Sequence, residues 1–449
     1  MTRPPKPQAR PGRIGLWGYL RLFRRDILSA QPERLYRAWM AEFRTPFFRS
    51  YLVNEPELVR EVLQVRPMDF PKSDRVNEGL RPLLGNSVFV TNGEVWQRQR
   101  RIIDPAFEGG RLRESFGAMW AAGQSAVARL GQGGSVEMEE AAGFLAADVI
   151  FRTLFSLPIE DATAQRVFRQ FQIYQRAQPI ANIKAMLPLP SWVPRFLPRR
   201  ALVAAAELRA LIREVTEQRQ ADIAAGQAPD DLATKIMTTR DPETGELFDT
   251  EEMIDQVAIF FLAGHETSAS ALSWALYLLA THPDWQDRVA DEAEALGEAP
   301  DFKKLGSLTL SRDVFREALR LYPPVPMMVR EATQNETFRN REIAPGAQIV
   351  LSPWHAHRHE RLWEDPDGFD PERWQNGNGK SCPRDAYMPF SAGARVCPGA
   401  GFAMIEGPLL LSMLVRIFRF EPVAGREPVP VAHLTVRARD GIHLRITKR

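Results

Sequence analysis

"FSAGARVCPGAGFA", residues 390–403, sets a cysteine and an arginine among glycines at 393, 399 and 401, just ahead of an apolar run. The chain has only two cysteines, and Cys397 lies here, between Arg395 and a Pro398-Gly399 step. A free cysteine is most often an ordinary small buried residue. Its neighbours here argue for more. Pro398 and Gly399 open a helical run, "GAGFAMIEGPLLLSMLVRIF", and a helix N-terminus stabilises a thiolate through its dipole and free N–H groups. Gly393 and Gly399 bracket the sulfur, permitting tight turns and close approach of backbone to a flat ligand. Arg395 supplies a cation for a carboxylate.

Composition bounds what such a loop can serve. The chain has 449 residues, 44% hydrophobic and 25% charged, enough for an extensive core. Fifty-eight basic against 56 acidic residues leave a net charge of +2, which exerts no global pull on nucleic acid. Two cysteines make no disulfide framework, so a reducing cytoplasm is expected. Residues 1–13, rich in Pro and Arg, read as a disordered tip, and 14–449 as one domain. "IGLWGYLRLFRRDIL" reads as a first helix packed on the body. Its arginines and short length exclude a membrane span, leaving at most a weak peripheral foot through Trp17, Tyr19 and Leu20. A monomer is expected.

Helical spacing dominates the rest. "NEPELVREVLQV", "NGEVWQRQRRIIDPAF" and "RALVAAAELRALIREVTEQRQADIAAG" carry apolar residues three and four apart. Strand candidates are few: "FFRSYLV", and "REIAPGAQIVLSPW" as a hairpin turning at Pro345-Gly346. "MLPLPSWVPRFLPRR" (186–200) reads as a proline-broken loop. The longest helix starts at Asp249-Thr250, with Asp249 and Glu252 as a capping pair, and stops before Pro283. It is apolar on nearly every side, hence buried. In its middle "AGHETS" places a glycine, an acid and two hydroxyls, costly choices for a buried helix. Either Thr267 bonds back to a helix carbonyl at a break near Gly264, or a ligand meets the helix where a proton is delivered.

A lone thiolate without a second cysteine or histidine at ligand spacing is wrong for zinc and suits the single proximal ligand of a haem iron. "FSAGARVCPG" resembles the haem-binding signature of the cytochrome P450 superfamily, through Phe390, Gly393, Arg395, Cys397 and Gly399, with Ser391 where many members have glycine. "AGHET" resembles the distal-helix motif through Glu266 and Thr267, and "EALR" the Glu-x-x-Arg motif through Glu317 and Arg320. "DPERW" resembles the later motif, ending in Trp374 rather than Phe, and "WQRQR" the Trp-x-x-x-Arg of a haem-flanking helix. Each short motif is weak alone, but their order over residues 96–399 is specific. "HAHRHERLW" departs from the family pattern, and His355, His357 and His359 are read as structural.

The resemblance implies a mainly α fold with a small β portion and a long central helix over haem b. Cys397 would ligate the iron as a thiolate. Arg100, Arg330 and Arg395 would hold propionates, joined by the indole of Trp96. Glu317, Arg320 and Arg373 would form a buried charge cluster of structural importance. Glu266 and Thr267 would relay protons for oxygen activation, inserting one oxygen atom from O2 into a C–H or double bond. The absence of a Gly-x-Gly-x-x-Gly between strand and helix implies that electrons from NAD(P)H arrive through a separate reductase and a ferredoxin-type iron–sulfur protein, or alternatively a flavodoxin. Arg98, Arg100, Arg101 and Arg384 would form its basic docking face. Phe260, Ala263, Gly264, Val325, Met327 and Met328 would line a pocket for a hydrophobic small molecule, with contributions near 170–195. Competing readings are a peroxide-driven haem enzyme, a haem sensor and a haem-free helical scaffold.

Overall fold

The computed structural model describes residues 3–10, 12, 14–44, 49–177, 198–298, 300–375, 382, 384–432 and 434–449, apart from the side chains of 16, 24, 76 and 384. Most of the 186–200 connection and part of the 170–195 segment therefore lie outside the described residues. The helices that frame the site are α1 (Leu16–Arg25), α2 (Gly93–Ile103), α3 (Met138–Phe155), α4 (Ala162–Ala177), α5 (Arg199–Ala224), α6 (Thr250–Thr281), α7 (Thr309–Leu321) and α8 (Ala400–Ile417).

Helix α6 has the expected bounds. Asp249 accepts from the Glu252 amide at 2.7 Å while Glu252 accepts from the Asp249 amide at 3.0 Å, a closed capping box. Its 32 residues span about 48 Å at 1.5 Å each. It packs along α3 and against α5, α7 and α8. The expected break at Gly264 is absent, and α6 runs through it. Gly264 serves a different need: a side chain there would overlap Ile150 of α3, so it lets two helices approach.

The β portion is small and mostly remote in sequence pairing. Strands β1 (Met40–Arg44), β2 (Arg49–Val53), β3 (Met328–Glu331) and β6 (Gln348–Leu351) form a sheet ordered β1-β2-β6-β3, with β2 and β6 parallel. Strands β4 (Glu336–Phe338) and β5 (Arg341–Ile343) pair separately. The expected 341–354 hairpin is thus a misreading: Pro345-Gly346 joins β5 to β6, but each finds its partner elsewhere. The Gly346 amide bonds the Ala332 carbonyl at 2.8 Å, turning the chain toward β3 rather than back on β5. A last hairpin joins β7 (Pro430–Ala432) to β8 (Val436–Ala438). Gly133–Glu137, His443–Lys448 and Phe418–Pro422 make a further sheet.

The tip also differs from expectation over residues 3–10. Pro4 and Pro7 are buried, Tyr322 Oη donates to the Pro5 carbonyl at 2.8 Å, and Lys6 pairs with Asp367 at 2.6 Å. A buried tyrosine and a half-buried carboxylate, far along the chain, outweigh a composition that favours disorder. Helix α1 packs through Phe23 and leaves Trp17 84% exposed. One described helix, α8, is long and apolar enough to cross a membrane, yet most of it is buried and it carries Glu406 and an internal Pro408.

The charge cluster is the tightest knot in the fold. Arg320 spends all five N–H donors: bidentate on Glu317 at 2.7 and 2.9 Å, and on the carbonyls of His357, Pro366 and Gly368 at 2.6–2.9 Å. Arg373 and the Trp374 indole reach the same carboxylate at 3.3 and 3.2 Å, so Trp374 turns its departure from the family motif into a hydrogen bond. His357 continues the chain of contacts, its Nδ1 facing the Arg320 carbonyl and its Nε2 accepting from the Met388 amide at 2.9 Å, just before the cysteine loop.

The histidines read as structural are interior. His355 and His357, with His265 of α6, are buried, and burial first, with nearby arginine charge second, pushes each to about 3. His359, stacked on Trp39, is held at about 4. Unfolded histidine binds a proton near 6.5, so between about 6.5 and 3 the unfolded chain binds more protons and stability falls as pH falls. The expected slope approaches about 1.4 kcal/mol per pH unit for each such histidine below 6.5. Urea midpoints at pH 7, 6, 5 and 4 measure it; a midpoint that stays constant over that range contradicts this account.

Candidate functional site

The cysteine loop is built before any ligand is considered. The Cys397 amide donates to the Phe390 carbonyl at 2.9 Å and the Val396 amide to Gly393 at 3.0 Å, closing two nested turns. Gly393 has φ +65, and a side chain there would overlap the Leu63 carbonyl, so glycine is required twice over. Gly399 differs: its φ of −79 suits any residue, and its contribution is proximity, since a Cβ would sit 3.8 Å from the Cys397 sulfur. Ser391 takes φ +63, a left-handed conformation that favours glycine, and its hydroxyl is buried without a partner among the described residues.

Helix α8 begins at Ala400, with Gly399 as its cap. The Cys397 side chain is exposed on one side and walled by protein on the others. That burial raises its thiol, against the Gly399 amide and the Arg100 charge, which lower it. The helix N-terminus thus favours the thiolate but does not outweigh burial. Cys382 lies outside the glycine bracket, with its thiol pushed up to about 12.

Around this loop four cations converge. Arg395 lies over the Trp96 ring at 4.2 Å, Arg330 sits on β3, and Arg100 on α2 donates to the Val396 carbonyl at 2.6 Å. The fourth, Lys72, was missed in the sequence. It is held by the Val88 and Phe89 carbonyls at 2.6 and 2.9 Å and bridges to Arg330 through the backbone. Among the described residues, only Arg100 has a carboxylate, Asp104 at 2.7 Å. Arg330 Nε and Arg395 Nε and Nη1 are buried without partners. Burial first lowers Arg330 and Arg395 to about 10, with the charge of Arg395 second for Arg330 and the charge of Arg100 second for Arg395, and Lys72 is lowered by burial and then by Arg395, Arg330 and Arg100. A cluster so arranged fits an anionic ligand bearing two carboxylates.

The acid and alcohol of α6 diverge. Thr267 Oγ1 donates to the Ala263 carbonyl at 2.5 Å, whereas Glu266 is buried and turned toward Arg437, 3.2 Å away, and Gln175. Burial raises the Glu266 carboxyl, opposed by Arg437, Gln175 and Thr435. Among the described residues no hydrogen bond joins Glu266 to Thr267. Of the expected pocket residues, Ala263 is exposed and Val325, Met327 and Met328 are half-buried. Phe260 packs on Phe107 at 5.7 Å, and Gly264 faces α3 instead. A cavity of about 620 Å³ lies elsewhere, rimmed by Asp74, Asp249, Glu251 and Asp255, and shares no residue with the cation cluster. Glu406 of α8 was also missed, though an acid inside "AMIEGPLLL" was a signal; it accepts from Ser268 at 2.7 Å and burial pushes it to about 7.

The basic docking face is corrected. Arg98 is neutralised by Glu252 at 2.6 Å, Arg100 by Asp104, and Arg101 by Asp241 at 2.6 Å. The Arg384 side chain lies outside those described.

Comparison with known proteins gives the family. The family model for cytochrome P450 matches residues 33–445. The chain belongs to the cytochrome P450 family. It is 34% identical over 92% of its length to cyclooctat-9-en-7-ol 5-monooxygenase of Streptomyces melanosporofaciens, covering 90% of that protein. It is 30% identical over 89% of its length to pentalenene oxygenase of Streptomyces avermitilis, covering 88% of that protein. The crystal structure of the cytochrome P450DA heme domain superposes with a TM-score of 0.83 at 26% identity, covering 100% of this chain and 99% of that one. The chain is therefore an oxidoreductase, a P450 monooxygenase, and the family's cofactor is haem b. The residues present fit that group: one thiol and unpaired guanidinium groups for two propionates.

Removing a buried, unpartnered charge has opposite consequences with and without haem. Arg330→Gln is expected to stabilise the haem-free chain by about 1 kcal/mol while speeding haem loss about tenfold. Thermal melts of the apoprotein and haem transfer to apomyoglobin measure the two; a melt lowered in the apoprotein contradicts the repulsion. Ser391→Gly is expected to add about 1 kcal/mol by relieving the left-handed backbone and an orphan hydroxyl. A denaturant midpoint unchanged or lowered counts against that strain.

Proposed function

We propose that this P450 inserts one oxygen atom from O2 into a cyclic alkene or alkenol, by hydroxylation or epoxidation, acting as one unit over residues 14–449 in the cytoplasm. Electrons from NAD(P)H come through a reductase and a separate ferredoxin-type protein. The observation that carries the reading is the unpartnered pair Arg330 and Arg395 beside the single loop thiol. Haem, when bound, supplies the activation of dioxygen and the transfer of one oxygen atom.

The chain's own residues do the rest. Cys397 would ligate the iron, and Arg330, Arg395 and Lys72 would take the propionates, with Trp96 as a shelf under Arg395 and Arg100 steadying the loop carbonyl at Val396. Glu317, Arg320 and Arg373 brace the same loop through His357. Burial raises the Glu266 carboxyl and so favours its protonated form, the state from which it can donate. Thr267 has already donated its hydrogen to Ala263, so its oxygen is left to accept a hydrogen bond in the α6 groove. The substrate class is supported by the names of the two Streptomyces relatives and by the aliphatic character of Ala263, Val325 and Met327. With Arg98, Arg100 and Arg101 paired internally, ferredoxin docking depends only modestly on salt.

Two measurements test this. Cys397→Ser is expected to abolish the red-shifted Soret band of the ferrous–carbon monoxide complex, and Cys382→Ser to leave it; loss in Cys382→Ser instead overturns the ligand assignment. Pentalenene or a cyclic alkenol is expected to give a saturable Soret shift that a straight-chain fatty acid does not. The reverse preference overturns the substrate class.

A further inference from the structure

Glu266 is gripped from two directions, and neither partner is on its own helix. Oε1 accepts from Gln175 Nε2, in the last turn of α4, and from Arg437 Nη2, on β8, at 3.2 Å. Oε2 is buried and takes no hydrogen bond from a described residue. The grip on α4 is periodic. Phe168 and Phe171 meet the edge of His265, at 5.6 and 5.2 Å between ring centroids, and Gln175 follows on the same helical face to meet Glu266. On the β8 side, Arg437 is 39% exposed whereas the carboxylate it holds is only 9% exposed.

From this geometry we propose that Gln175 and Arg437 are positioning residues for the acid: together they bind Oε1, leave Oε2 as the oxygen that carries the proton, and make Arg437 the contact between the buried acid and bulk water. The proposal rests on the reading of Glu266 as a proton donor. Donors on one carboxyl oxygen place negative charge there, so the proton resides on the other. A carboxyl without them rotates freely and presents either oxygen. The arms thus convert a burial-raised acid into an aimed one. The groups facing it are Arg437 and Thr435 from the last hairpin, Gln175 from α4 and neutral His265 beside it, with Glu139 of α3 near Arg437.

The test needs no identified substrate. Haem-loaded wild type, Glu266→Gln, Gln175→Ala, Arg437→Gln and Arg437→Lys are turned over with a plant-type [2Fe–2S] ferredoxin and its reductase, in H2O and D2O. Hydrogen peroxide formed per reduced cofactor consumed is read, with kcat and KM for ferredoxin. Gln175→Ala and Arg437→Gln are each expected to raise the peroxide fraction at least twofold and enlarge the solvent isotope effect on kcat. KM stays within twofold and the ferrous–carbon monoxide spectrum is unaltered. Arg437→Lys restores the wild-type ratio. Hydrogen exchange of amides 171–177, measured without turnover, is expected to rise in Gln175→Ala and Glu266→Gln alike. If Glu266→Gln uncouples while Gln175→Ala and Arg437→Gln do not, the clamp is overturned and the acid retained. If Glu266→Gln itself leaves the ratio unchanged, the acid role fails first, whatever the arms do.

Discussion

Everything around the cysteine loop hangs on one fully buried ion pair, Glu317 with Arg320. Both side chains have no exposure, and a pair placed so deep is costly unless every remaining donor is answered. Here each is, by the carbonyls of His357, Pro366 and Gly368, so α7 is tied to two stretches that follow it in the chain. His357 passes the constraint to Met388, and Met388 starts the turn that presents Cys397. The loop cysteine is positioned by a network that does not include it. Loss of either partner would strand a charge in the interior, which is a larger penalty than the pair's own net contribution.

The cation cluster obeys the opposite logic. Among the described residues, Arg330, Arg395 and Lys72 are gathered with no carboxylate between them, and Arg100 has only Asp104. In the chain alone this is an unfavourable assembly, and an anionic ligand would turn the repulsion into attraction. The two clusters divide the labour: one is complete in itself and fixes the scaffold, the other is incomplete and specifies the ligand.

How much of this could be read from residues alone follows from how far apart the partners are. The capping box of α6 was legible because Asp249 and Glu252 are three residues apart. The cysteine loop was legible because its requirements, the left-handed Gly393 and the nearby Arg395, are packed into a few positions. Lys72 was not, since nothing around "FPKSD" tells that three arginines from α2, β3 and the loop converge on it. Arg437 is 171 residues from Glu266, so the adjacency of Glu266 and Thr267 in "HET" suggested a joint pair where the fold turns the two side chains apart. The false hairpin at Pro345-Gly346 failed for the same reason: turn chemistry is local, but the better partners for β6 were β2 and β3.

The seating of residues 4–10 carries a consequence for the order in which the chain is assembled. Their partners include Gln31, Pro32, Tyr322 and Asp367, and the last two leave a ribosome only after most of the chain has been made. These residues emerge early and dock late. Until then Tyr36 and Tyr322 lack the strap that covers them, and a partner or fusion that captures residues 4–10 during synthesis would keep that seam open in an otherwise finished protein.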